Sequence, residues 1–206
     1  MSSVAGNTAV QLHEGRSATS MWLVLFIELT LFGVMFIVYG SYRFMHLTAF
    51  HLAALGMDTQ AGLINTIILL TSGMTAAMSV TAFQKKNIRF SRFLISLTIL
   101  FALAFLLNKF FEFSGKIQNG IYPGSSDLMS KPEGEIIYFG LFYVLSGLHI
   151  LHLLAGIIFL ILAFKMVRTN ADAEALQITK LKNITLFWNV VCLIWLFLYP
   201  LFYLIH

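Results

Sequence analysis

Tyr138-Phe-Gly-Leu-Phe-Tyr-Val-Leu-Ser-Gly-Leu-His-Ile-Leu-His-Leu-Leu-Ala-Gly-Ile-Ile158 lies inside a run, 136–164, that contains no Asp, Glu, Lys or Arg. Such a run exceeds the ~20 apolar residues needed to cross a bilayer. Near its middle stand two histidines, His149 and His152. An imidazole carries a desolvation cost in lipid, so both should face protein or water. A spacing of three puts them on one side of a helix. Gly147, Ala155 and Gly156 flank them and allow a second helix to approach closely.

The rest of the chain has the same character. It is 59% apolar and 11% charged, with a mean hydropathy of +0.85. A soluble domain carries about 25% charged residues. The composition therefore specifies an integral membrane protein. The formal charge of +4 sits in short loops, where basic residues set topology, and gives no sign of nucleic-acid binding. Cys192 is the only cysteine, so no intrachain disulfide can form. Residues 1–20 lack an apolar core, so a short polar cytoplasmic tail is expected there and not a cleaved signal peptide.

Working outward from 136–164, four further apolar runs appear, at 21–42, 63–83, 93–113 and 183–205. The expected fold is all-α, an integral membrane bundle of five transmembrane helices forming one domain over 21–205. Residues 43–61 read as a connecting loop with an interfacial turn. Residues 84–92 form a compact basic loop, and Pro123 and Pro132 break the long loop 114–135. The second run holds Asn65, Thr66, Thr71, Ser72 and Thr75, and its Gly73 and Ala77 form a small-xxx-small pair. Asn65, Gly73, Gly147, Gly156 and Trp188 are the expected helix-packing positions.

Five segments stand in order along the five spans: Phe26-Ile-Glu-Leu-Thr-Leu-Phe-Gly33, Leu63-Ile-Asn-Thr-Ile-Ile-Leu-Leu-Thr-Ser-Gly73, Lys109-Phe-Phe-Glu-Phe113, Ser146-Gly-Leu-His-Ile-Leu-His152 with Gly156, and Phe187-Trp188 with Trp195-Leu-Phe-Leu198. Together they resemble the cytochrome c oxidase subunit III family. Short apolar motifs recur by chance, but five in family order on five spans do not. The resemblance implies the shorter, five-span form of a haem-copper oxidase subunit. Such a subunit is non-catalytic by itself and holds no cofactor. Haem and copper belong to its partners, catalytic subunit I and subunit II. It implies packing on subunit I, binding of phospholipids and support of proton uptake during oxygen reduction in a bacterial-type inner membrane. Shorter relatives also accompany quinol oxidases and nitric oxide reductases. Two positions depart from the family pattern: Asn189 stands where His is common, and Cys192 where Asp is common.

Glu28 is the least expected residue of the first span. It lies seven positions in, about 10 Å from the nearer membrane edge. An ionised carboxylate is costly there, so Glu28 is expected to be neutral or hydrogen-bonded, either joining helices or influencing proton entry. Depth counted along both helices places Glu28 and His152 at similar levels, so a shared polar contact is expected if the first and fourth spans are neighbours. His149 and His152 are expected to hydrogen-bond across helices and, with Glu28, to form the proton-uptake group. A metal would want three or four ligands, and no other span offers a histidine at matching depth. Two neighbours on one face also cannot supply both axial sides of a haem. Lys109 and Glu112, three apart near the end of the third span, are expected to form a structural ion pair whose long side chains snorkel. A rival reading makes Glu28 and the histidines the relay of a small proton-coupled transporter, but broken helices and paired repeats are not evident.

Five spans place the termini on opposite sides. Nine basic residues (Arg16, Lys85, Lys86, Arg89, Arg92, Lys165, Arg168, Lys180, Lys182) fall on one side and three (Arg43, Lys116, Lys131) on the other. The positive-inside rule then puts the N-terminus in the cytoplasm and His206 outside. A reporter active only outside the cytoplasm, fused after Ser126, should give signal. Silence from a well-expressed fusion would reverse the topology.

Overall fold

The computed structural model describes residues 2–167 and 174–204, with side chains described over 19–167 and 175–204. The described elements are α1 (Ser2–Met45), α2 (Leu47–Leu55), α3 (Thr59–Gln84), α4 (Ile88–Gln118), α5 (Ser126–Met129), α6 (Glu133–Met166) and α7 (Glu174–Tyr203). Five of them, α1, α3, α4, α6 and α7, contain stretches long and apolar enough to cross a membrane.

The helices run beyond the apolar limits read from the sequence. Residues 2–20 continue α1 as helix where a tail was expected. The expected loop 43–61 is largely helical, since α1 reaches Met45 and α2 fills 47–55. The third span likewise reaches Gln118, and α7 begins at Glu174, ahead of the apolar run 183–205. Backbone hydrogen bonds are satisfied by continuing the helix past the apolar edge, since charged and polar residues with fair helix propensity do not break it. Arg168 and the chain end at 205–206 lie outside the described residues.

Polar side chains fix the turns. Asp58 caps α3 by accepting from the Ala61 amide at 2.9 Å, and Asn87 caps α4 by accepting from the Phe90 amide at 3.2 Å. Each cap satisfies one of the four unpaired amides at a helix start. Lys86, at φ 58°, makes the left-handed residue of the tight α3–α4 turn.

Helix α7 occupies the middle of the bundle and packs against α1, α3 and α6. Helix α3 packs on α4 and α7, and α6 touches α1, α2, α4 and α7. The adjacency of α1 and α6, which the sequence left open, is thereby established. Three glycines set the spacing to α7: Gly62, where a Cβ would lie 2.8 Å from the rings of Tyr199 and Tyr203, Gly73 and Gly156. A Cβ on Gly73 would lie 2.8 Å from Asn189 Oδ1, and one on Gly156 would lie 2.7 Å from Trp188 Cε3. Gly147 differs from expectation. A Cβ there would meet nothing within 4 Å, so no helix closes on it.

The fully buried Trp188 ring makes Gly156 sensitive. Gly156→Ala forces the ring or a helix to move, at a cost of about 1–3 kcal/mol for overpacking. Gly147→Ala should change stability little. Thermal denaturation of the purified protein in mild detergent tests this; equal losses at the two positions would contradict the close α6–α7 approach.

Candidate functional site

Ionisable side chains gather at two levels of the bundle. The first joins α1 to α6. Glu28 Oε2 lies 2.8 Å from His152 Nε2, and both side chains are largely buried. The other ring nitrogen of His152, Nδ1, lies 2.7 Å from the Leu148 carbonyl oxygen. A carbonyl only accepts, so Nδ1 carries a hydrogen. At 2.8 Å the carboxyl and the imidazole are close enough to form an ion pair if the ring is protonated. Glu28 Oε2 is off the ring N–H axis, at ion-pair distance without the alignment of a formed hydrogen bond. Phe32 presses edge-on against the imidazole, with ring centroids 5.5 Å apart, and restricts its rotation.

His149 turns to other neighbours although it is three residues away. It is wholly buried, with Phe105 of α4 edge-on at 5.8 Å and Trp195 of α7 at 5.4 Å. Neither of its ring nitrogens has a hydrogen-bond partner among the described residues, which departs from the expected bond across helices. Among the described residues no group of three or more His, Cys, Asp or Glu side chains is arranged to hold a metal ion.

The second level lies toward the end of α4. Lys109 Nζ donates to Glu112 Oε2 at 2.9 Å and to the Tyr203 hydroxyl at 2.8 Å, and that hydroxyl donates to Glu112 Oε1 at 2.5 Å. The three groups close a ring of charge-assisted hydrogen bonds. The expected pair is present, but Lys109 does not snorkel. It is 1% exposed, and its ammonium stands over Trp195 at 4.5 Å, Phe142 at 5.2 Å and Tyr203 at 5.3 Å. Aromatic faces stabilise a desolvated cation by about 2 kcal/mol or more. This enclosure brings together residues of α4, α6 and α7, and nothing in the local sequence around Tyr203 points to Glu112.

A polar seam joins α3 to α4 and α7. Ser72 Oγ donates to the Thr98 carbonyl at 3.1 Å and accepts from Trp188 Nε1 at 3.2 Å. Thr75 and Thr98 hydroxyls meet at 2.8 Å, and Asn108 Nδ2 donates to Asn65 Oδ1 at 2.9 Å. Asn65 and Trp188 thus serve contacts between helices. Asn189 and Cys192 both stand against Gly73, with Cys192 Sγ 3.7 Å from the position of its Cβ.

Residues 2–206 match the family described as Cytochrome c oxidase subunit III. The chain belongs to that family. It is similar to the "Heme-copper oxidase subunit I+III" of Aeropyrum pernix, 27% identical over 91% of this chain and 22% of that protein. It is also similar to the "Probable quinol oxidase subunit 3" of Staphylococcus haemolyticus, 25% identical over 94% of this chain and 91% of the relative. The "Cytochrome c oxidase subunit 3" of Corynebacterium diphtheriae is 26% identical over 73% and 68% of the two chains. Membership makes this subunit III a multi-pass membrane protein and a component of a haem-copper oxidase complex, with a catalytic subunit as its partner.

The ring formed by Lys109, Glu112 and Tyr203 ties α4 to α7 within subunit III. Removing one partner of a buried pair strands the other charge, at a cost of about 3–5 kcal/mol. Glu112→Gln should therefore reduce retention of the subunit in the membrane complex more than turnover per assembled complex. Quantifying subunit content and oxygen consumption on the same samples tests this; normal retention with lost turnover contradicts a structural role.

Proposed function

We propose that this subunit III packs on the catalytic subunit I, alongside subunit II, of a terminal oxidase in a bacterial-type inner membrane. There it sustains proton uptake and holds phospholipid while the complex reduces oxygen. The reaction at the partners' haem and copper takes electrons from cytochrome c or a quinol. On this reading the N-terminus of α1 is cytoplasmic, as the nine-to-three distribution of basic residues favours.

The contact between Glu28 and His152 carries the proton-supply part of the proposal. An isolated carboxylate in a span has no reason to persist, but one that shares a proton with an imidazole can give it up and take it back without a large rearrangement. Its place about 10 Å from the N-terminal edge of the apolar part of α1 puts it near the side from which protons are drawn. His149 lies in the same turn of α6 but is walled off by Phe105 and Trp195, so it supports the local polarity without joining the contact. For lipid, an apolar groove of about 610 Å3 between α4 and α6 supports the reading. Leu103, Leu106, Leu107, Phe110, Phe113, Ile150 and Leu154 line it, all suited to an acyl chain, with Lys109 the one charged residue in its wall.

Glu28→Gln keeps the shape of the side chain and its capacity to hydrogen-bond, and removes only ionisation. The expected outcome is an intact complex whose sustained turnover falls, more at high pH where protons are scarce. Glu28→Ala should in addition weaken assembly, because His152 Nε2 loses its buried partner. Turnover of the purified complex measured against pH, with subunit content checked on the same samples, separates these effects. Unchanged turnover at every pH in fully assembled Glu28→Gln would reduce Glu28 to a contact between helices.

A further inference from the structure

A second pocket, of about 430 Å3, opens where the α2–α3 turn meets the end of α4. That volume is within the ~300–1,000 Å3 range of small-molecule sites. Asp58, Asn108, Phe111, Glu112, Lys116 and Asn119 form its wall, with Gly56, Ala61 and Gly115 between them. Unlike the apolar α4–α6 groove, this pocket holds charges of both signs.

The charges are unequally committed. Both oxygens of Glu112 are already bonded, to Lys109 and to Tyr203. Asp58 uses Oδ1 to cap α3 and has no cation at ion-pair distance among the described residues. Lys116 is 9% exposed, and among the described residues it has no hydrogen bond and no carboxylate within 4.0 Å. Only the faces of Phe139 and Phe142 stand near its ammonium, at 5.5 Å and 5.4 Å. A desolvated ammonium without an acceptor is costly, and aromatic faces offset a part of that cost. The pocket thus offers one largely buried cation with no acceptor among the described residues and one carboxylate, Asp58, that caps α3 through Oδ1 but has no cation paired with it among those residues.

A simple anion would satisfy Lys116 but would meet the carboxylates of Asp58 and Glu112. A simple cation would meet Lys116, with Lys109 behind it. A zwitterion whose phosphate and ammonium are a few ångströms apart suits both Lys116 and Asp58. The pocket also stands at the membrane end of α4, the level of lipid headgroups. From its rim, Phe111, Leu107 (which also borders the α4–α6 groove) and Leu100 are 68%, 58% and 60% exposed, four and seven residues apart, and form an apolar track toward mid-membrane. We propose that this pocket seats the phosphoethanolamine headgroup of a zwitterionic phospholipid, with the phosphate on Lys116 and the ammonium toward Asp58, Asn108 and Asn119. The proposal rests on the reading that subunit III holds lipid and specifies a headgroup and its site.

The test uses the full chain in its complex, purified in mild detergent, stripped of lipid and titrated with dioleoyl phosphatidylethanolamine or dioleoyl phosphatidylglycerol. Native mass spectrometry counts the bound lipids. One ethanolamine lipid should be retained in preference to the glycerol lipid. Lys116→Gln should weaken that retention about tenfold, as expected for loss of a charge-assisted hydrogen bond. Lys116→Arg should keep it. Asp58→Asn preserves the helix cap and should reduce the preference for the ethanolamine headgroup, so it decides the matter should Lys116→Gln fail to fold. Equal retention of the two lipids, or ethanolamine-lipid retention indifferent to Lys116 and Asp58, overturns the site while leaving lipid holding intact. Absence of any retained phospholipid overturns both.

Discussion

In a bilayer, burying leucine against leucine gains little over burying it against an acyl chain, so apolar surface alone does not choose which helices touch. The choice falls to polar and small residues, whose alternatives in lipid are unfavourable. The Ser72 hydroxyl shows the constraint at its sharpest. It gives its hydrogen to the Thr98 carbonyl of α4 and takes one from the Trp188 indole of α7. One small side chain thereby fixes three helices at one level. Trp195, about two turns along α7, adds a second tie to α3 by donating to Thr66 at 3.1 Å. Each bond is worth only about 0.6 kcal/mol on average. Their importance lies in direction and register, because a helix turned or shifted by one residue loses them together.

The ionisable groups follow the same logic at greater cost. Glu28 and His152 meet where α1 and α6 touch, and Lys109, Glu112 and Tyr203 meet where α4 and α7 approach. The first contact sets a carboxyl against an imidazole at ion-pair distance. The second has a committed lysine enclosed by rings. The two thus differ in kind: one is an open pair and the other a closed ring of hydrogen bonds. His149 stands between the two groups as a third case, a buried imidazole surrounded by aromatic rings.

The number and order of spans were legible because a bilayer imposes a minimum apolar length, and five runs meet it. The ends of the helices were less legible, since hydropathy reports where the lipid stops and not where the backbone ceases to coil; α2 and the start of α7 show this. Counting depth brought Glu28 level with His152, but their contact needed the adjacency of α1 and α6, which depends on the whole packing. The enclosure of Lys109 was hidden for a similar reason. A lysine close to a span end reads as snorkelling until Trp195, Phe142 and Tyr203 are seen around it. Gly147 and Gly156 look alike in sequence, and only the position of Trp188 separates them.

The far end of α7 has a consequence for biogenesis. The final turn of a helix leaves its carbonyls without amide partners. Here the carbonyls of Leu201, Phe202 and Tyr203 are each taken by a hydroxyl: Tyr39 of α1, Tyr138 of α6 and Thr59 of α3. These hydroxyls enter the membrane before α7 has left the ribosome. Until it arrives, Tyr39, Tyr138 and Thr59 lack their acceptors, and the Trp188 and Trp195 donors to α3 are missing. The first four spans therefore lack these bonds until α7 arrives, and synthesis of the last span completes the bundle. A chain cut short before α7 presents unpaired polar groups to the membrane, a mark by which quality control can tell an unfinished subunit from a finished one.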